Sequence, residues 1–173
     1  MKKMIIALIV GFVLAIVSGP MANAQMAKEG SLTGMTFYSG TMKVIAMEKE
    51  RAQVNYEVTG ISRGQDEQSP LYNTSIHCLG SLHAIKGPYE NDSGFCVFAR
   101  TDGDQIFMTY EAKGRMGVTD GSVSGKGTWR LVGGTGKCAG IDGSGVFERH
   151  GLRAAAPGTF NSFTTSKGTY KLP

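Results

Sequence analysis

The residues of this chain whose types could carry chemistry are three cysteines, three histidines, a Gly-Lys cluster and an Asp-Gly-Asp turn. The thiols are Cys78, Cys96 and Cys138. Residue 87 is the midpoint between Cys78 and Cys96 and lies inside the turn signal Lys86-Gly87-Pro88, so a hairpin folded there sets the two thiols opposite each other. A Cys78–Cys96 disulfide is therefore expected, worth about 3 kcal/mol through restriction of the unfolded chain. Free thiols at both sites are the alternative. Three is an odd number, so one thiol is left over. Cys138 lies in a glycine-rich segment and is expected to be a buried free thiol, with intermolecular pairing or reactivity as the sharper alternative.

The other motifs yield little. His77 and His83 are six residues apart, which on one extended strand separates them by about 20 Å, too far to share a metal. No Cys/His cluster has zinc spacing, so no metal is expected. Asp102-Gly103-Asp104 resembles part of a calcium loop, but position twelve is Lys113 and not the required Glu. Gly133-Gly134-Thr135-Gly136-Lys137 invites a phosphate-loop reading and fails it. Leu131 stands where the first glycine belongs, and Cys138 follows the lysine where Ser or Thr is needed. No cofactor is expected. No Ser-His-Asp set can be assembled. Asn73-Thr74-Ser75 and Asn91-Asp92-Ser93 have the form of glycosylation triplets and are read as chance.

The elements that position these residues begin after a leader. Lys2 and Lys3 precede the uncharged apolar run Ile5 to Val17, and Ala22-Asn23-Ala24 supplies small residues before Gln25. Residues 1–24 are read as a secretory signal peptide and 25–173 as one domain. A permanent anchor would need roughly 20 apolar residues. The expected localisation is exported, periplasmic or secreted, with no membrane association after cleavage. The chain carries 18 Lys and Arg against 14 Asp and Glu, and removing Lys2 and Lys3 leaves 16 against 14. That balance is too weak to argue for a nucleic-acid partner.

Glycine supplies 25 of the 173 residues, about twice its usual share of ~7%. Between β-formers, glycine at that density is read as tight turns and bulges. Residues 25–34 look like a loose N-terminus. Strands are expected at 35–47, 53–59, 72–85, 95–101, 104–112, 124–132, 143–149 and 159–172, with 63–70 and 86–94 as loop and turn. Val54, Tyr56 and Val58 share one face of the second strand, and Trp129 and Leu131 share one face of the sixth. Asp102-Gly103 predicts a two-residue type I′ hairpin. Its register would set Ala99 against Ile106, Val97 against Met108 and Phe95 against Tyr110, all on one inner face. If Cys78 opposes Cys96, His77 opposes Val97 and shares that face with Tyr110. His77 and Tyr110 are therefore the candidate ligand-binding pair of the lumen, a polar pair in an apolar setting.

The segment Gly125–Gly145, GKGTWRLVGGTGKCAGIDGSG, carries a resemblance. Its Gly133–Lys137 core, followed by Ala139-Gly140 and Gly143, resembles the GGTG-(K/R)-aromatic hairpin of the dirigent and allene oxide cyclase families. The wider pattern from about 75 to 149 is similar to exported bacterial proteins of unassigned function. The resemblance implies an antiparallel barrel of about eight strands, of calycin type; eight short strands with regular turns allow a barrel or a sandwich by themselves. Cys138 departs from the aromatic of that hairpin, and the families' catalytic residues have no matching positions here. The leading expectation is a non-enzymatic all-β barrel that binds a small apolar molecule. The alternatives are a cyclase-like or dirigent-like enzyme steering closure of a reactive intermediate, and a structural or inhibitory protein acting through its outer surface. The sequence does not speak to oligomeric state.

Overall fold

The computed structural model describes residues 26–64, 66–117 and 122–173. The segment read as a signal peptide lies outside the described residues. Eight strands follow in chain order: β1 (Glu29–Met47), β2 (Arg51–Gly64), β3 (Thr74–Ile85), β4 (Pro88–Ala99), β5 (Gln105–Met116), β6 (Val123–Gly134), β7 (Asp142–Leu152) and β8 (Thr159–Lys171). Each is antiparallel to the next, and β1 closes on β8. Closure leaves no unpaired edge, the usual route to aggregation of sheet proteins.

Alternation along each strand sorts side chains into lumen and solvent. On β2, Val54, Tyr56 and Val58 point inward as expected, and so do Trp129 and Leu131 on β6. The β2–β3, β4–β5 and β6–β7 connections and both ends of the barrel sequence share one end. A 3-10 turn at Gly136–Cys138 lies there, and Cys138, Ile141, Leu172 and Pro70 are buried. Cys138 is a free, fully buried thiol, and burial pushes its pKa up, which disfavours the nucleophilic thiolate.

Six strands, all but β3 and β8, are longer than the sequence suggested. Residues from Glu29 onward pair with β8, so the expected loose N-terminus closes the barrel. The turn between β3 and β4 occupies only Lys86 and Gly87, both with positive φ, and Pro88 already begins β4.

The β4–β5 hairpin corrects the expected register by one residue. Ala99 pairs with Gln105, Phe98 with Ile106 and Cys96 with Met108. The loop has three residues, Thr101-Asp102-Gly103, because Asp102 keeps a negative φ and only Gly103 is left-handed, at +90°. A type I′ turn needs positive φ at both loop positions, whereas a type I turn followed by a left-handed glycine does not. The Asp102 carboxylate reinforces this loop: its Oδ1 accepts from the Asp104 N–H at 3.2 Å, and its Oδ2 meets Lys137 Nζ at 3.1 Å. The one-residue shift moves Phe95 and Val97 to the outer wall and brings Cys96 and Phe98 inside.

Two bulges also re-aim side chains. One extra residue of β4, at Glu90-Asn91, displaces its register against both β3 and β5. Tyr89 and Asp92, three apart, consequently both face inward. In β6, Val132 is extra against β5. Gly133, at φ +142°, thus serves a bulge and not the chain reversal, which occurs beyond Gly134.

Many glycines are spacers in the barrel wall, a role the sequence did not suggest. Gly80 and Gly94 are paired neighbours, and a Cβ on either would collide with the Tyr110 hydroxyl. Gly145 and Gly168 are paired in the same way beneath the Trp129 indole. Gly114 and Gly125 leave room for the Tyr89 hydroxyl. Inward aromatics laid over glycine pairs let a narrow barrel hold large rings.

Candidate functional site

The lumen contains a cavity of about 70 Å³. Its wall is apolar on one side, with Val58, Phe98, Met108, Trp129, Phe147 and Phe160. A hydroxyl stripe from β1, β2 and β8 faces it: Thr36, Ser62, Ser162, Thr164 and Ser166. Gly34, Gly64, Ser69 and Leu71 complete the lining toward the end that carries the β2–β3 connection. For scale, an engineered apolar cavity of about 150 Å³ takes benzene. This lumen therefore suits a small molecule or the slender part of a larger one.

Deeper in, the lining turns to charged and phenolic groups. Arg149 on β7 follows Gly143, Gly145 and Phe147 on the inward face. Its Nη1 donates to Asp92 Oδ2 at 2.6 Å. Asp92 is fully buried, and the Arg149 side chain is 11% exposed. The guanidinium also stands 5.9 Å from the Tyr110 ring centre and 5.8 Å from that of Phe147, within cation–π range of both. Asp92 Oδ1 accepts from the Tyr56 hydroxyl, and the Tyr56 and Tyr110 hydroxyls are hydrogen-bonded to each other. Tyr89, beside the same pair, donates to the Ser124 carbonyl at 2.9 Å.

These groups perturb one another. Burial, and then the Asp92 carboxylate, hold the Tyr56 and Tyr110 hydroxyls well above the ordinary phenol pKa. Burial likewise raises Tyr38, although the Thr164 hydroxyl pulls the other way. Arg149 shifts upward in spite of its burial, because Asp92 and the surrounding phenols favour its charge. A phenol whose folded pKa lies above its unfolded value of 10.0 contributes stability that is complete below pH 10 and is lost as pH rises beyond it. In an alkaline titration, tyrosinate absorbance of these residues should therefore emerge together with loss of folded circular dichroism. Full ionisation of all tyrosines in a still-folded barrel would contradict the burial of the cluster.

The expected pair His77 and Tyr110 is separated by the wall. Tyr110 is on the lumen side, 6% exposed. His77 pairs with Val97 as expected, but both point outward, and His77 Nε2 lies 2.6 Å from Glu57 Oε1 on the solvent face. The cause is the hairpin shift: with Cys96 inside, its partner Cys78 is inside and His77 must be out. Cys78 and Cys96 form the expected disulfide, in the wall of the cavity.

No family model matches this chain, and no curated protein or solved structure matches it. Its site is accordingly read from its own geometry. Among the described residues, no group of His, Cys, Asp and Glu could hold a metal ion, and no helix is long and apolar enough to cross a membrane. Sequence reasoning missed Asp92, Arg149 and Tyr56 as site residues. Arg149 was reachable, since the inward series 143, 145, 147 extends to it. Tyr56 shares one strand face with Val54 and Val58, and nothing in the sequence signals a partner for its hydroxyl. Asp92 was hidden by the hairpin register, since it shares the inward phase of Gly94, Cys96 and Phe98 and not that of Phe95 and Val97.

Proposed function

We propose that this protein is an exported barrel that binds a small, largely apolar molecule in its lumen. The observation that carries this reading is the Asp92–Arg149 pair with its two tyrosines beside a cavity otherwise lined by apolar groups and neutral hydroxyls. An ion pair is an expensive way to fill a core, since desolvation of the two charges offsets their attraction and apolar replacements are often as stable. A small number of fixed polar groups in an apolar concavity is the usual composition of a ligand site. The buried disulfide supports export, because such bonds persist in oxidising compartments.

Trp129 is the sole tryptophan and lines the cavity, so its emission reports on the lumen. Titration with small apolar alcohols, ketones and hydrocarbons should shift or quench that emission saturably for at least one class. Emission that stays unchanged across the whole panel, in folded protein, would remove the reading.

A second reading adds turnover at the same place. It rests on the likeness of Gly133–Lys137 to the dirigent and allene oxide cyclase hairpin and on the buried phenols beside the cavity. A lumen of this kind could steer the closure of a reactive intermediate by shape. A changed product distribution when cyclisable intermediates decay in the presence of the protein would favour it. Binding without such a change leaves the non-enzymatic reading.

A further inference from the structure

The polar floor of the lumen has a fixed hydrogen-bond direction, which specifies what a ligand must offer. Asp92, held by Arg149, is a carboxylate, and a carboxylate only accepts. The Tyr56 hydroxyl has one proton, and it goes to Asp92 Oδ1. In the bond between the two phenol oxygens, Tyr56 therefore has no proton left to give, so Tyr110 is the donor. The chain runs from Tyr110 to Tyr56 to Asp92. Its terminal oxygen, on Tyr110, has committed its only proton and retains acceptor capacity alone. The other phenol of the lining, Tyr38, is engaged with Thr164 and Thr36.

We propose that the lumen selects a small neutral molecule bearing a hydroxyl group, which donates its proton to the Tyr110 oxygen. This deepens, and rests on, the reading that the lumen is a ligand site. At the Tyr110 oxygen, a carbonyl or ether of the same shape brings a second acceptor to an acceptor and makes no bond there, so that the Ser and Thr hydroxyls of the opposite lining are its only neutral donors. An ionised ligand fits poorly, because the Arg149 charge is already balanced by Asp92 and an added charge would be buried without a partner. A hydroxyl leaves the pair undisturbed. Tyr110 is held in place for this role: Gly80 and Gly94 make room for its hydroxyl, and Phe147 meets its ring edge-on at 6.1 Å between centres.

The test compares three small probes of nearly one shape, propan-2-ol, acetone and 2-methylpropane, by Trp129 emission with the wild-type protein. The net contribution of one hydrogen bond predicts that propan-2-ol binds about twofold to tenfold more tightly than acetone. Equal or tighter binding of the ketone, with the emission response intact, overturns the directional inference and leaves the ligand site standing. Absence of any response to all three overturns the ligand site itself, and the inference with it. Tyr110→Phe keeps the ring and removes the acceptor, so the alcohol's advantage should shrink. An advantage unchanged in Tyr110→Phe would overturn the assignment to Tyr110. The wild-type comparison carries the test if that variant does not fold.

Discussion

Asp92→Asn is expected to lower the unfolding free energy by about 3–5 kcal/mol, the usual cost of stripping one partner from a buried ion pair. The size of the penalty follows from what stays behind. The shape of the side chain is kept, but Arg149 keeps its charge at 11% exposure with no carboxylate to balance it. The Tyr56 hydroxyl loses its ionic acceptor at the same time. Urea denaturation followed by circular dichroism measures the difference directly. Asp142→Asn, which breaks an exposed pair with Arg130, should leave the midpoint essentially unmoved. The replacement of both buried partners, Asp92→Leu with Arg149→Met, should recover most of the loss, because the desolvation cost disappears with the pair. That recovery would also separate stability from binding: a double variant that folds well and no longer discriminates among lumen probes is the outcome this account expects. A single Asp92→Asn variant as stable as the parent would mean that the pair is open to water and not the floor of a closed site.

The Cys78–Cys96 link is expected to be worth about 3 kcal/mol, from the entropy its 18-residue separation removes from the unfolded chain. Cys78→Ala with Cys96→Ala should show that loss in urea, with the far-ultraviolet spectrum of the folded state retained. Both sulfurs are inside the barrel, so reductant added to the native protein should act slowly, limited by opening of the wall. Fast reduction of folded protein would place the bond at the surface. Cys138 is a built-in control, since it remains the only thiol in the oxidised protein and should stay unreactive until unfolding.

Much of the architecture was legible from alternation. Val54, Tyr56 and Val58 on β2 and Trp129 and Leu131 on β6 showed their inward faces plainly, and the number of strands followed from turn spacing. Where the reading failed, the cause was a single residue. Asp102-Gly103 looks like a two-residue turn, yet the Asp102 carboxylate draws Asp104, Lys137 and Arg100 around a three-residue loop. That difference inverted β4 and carried His77 out of the lumen. The bulge at Glu90-Asn91 is similarly local, and without it Tyr89 would point to water, whereas Asp92 faces inward in step with Gly94, Cys96 and Phe98 and was lost to the same one-residue shift. Neither device has a period, so pattern alone does not reveal it. The glycines were visible as a compositional excess, but their pairing across strands, beneath Tyr110 and Trp129, exists only once the register is known.

The account stands on the lumen as the place where a molecule is held. A crystal structure of the protein soaked with propan-2-ol tests this most directly. The account predicts ligand density between Trp129, Phe147 and Tyr110, with the ligand oxygen at hydrogen-bond distance from the Tyr110 hydroxyl and the Asp92–Arg149 pair intact. Density confined to the outer wall, or a lumen closed by its own side chains, would contradict it.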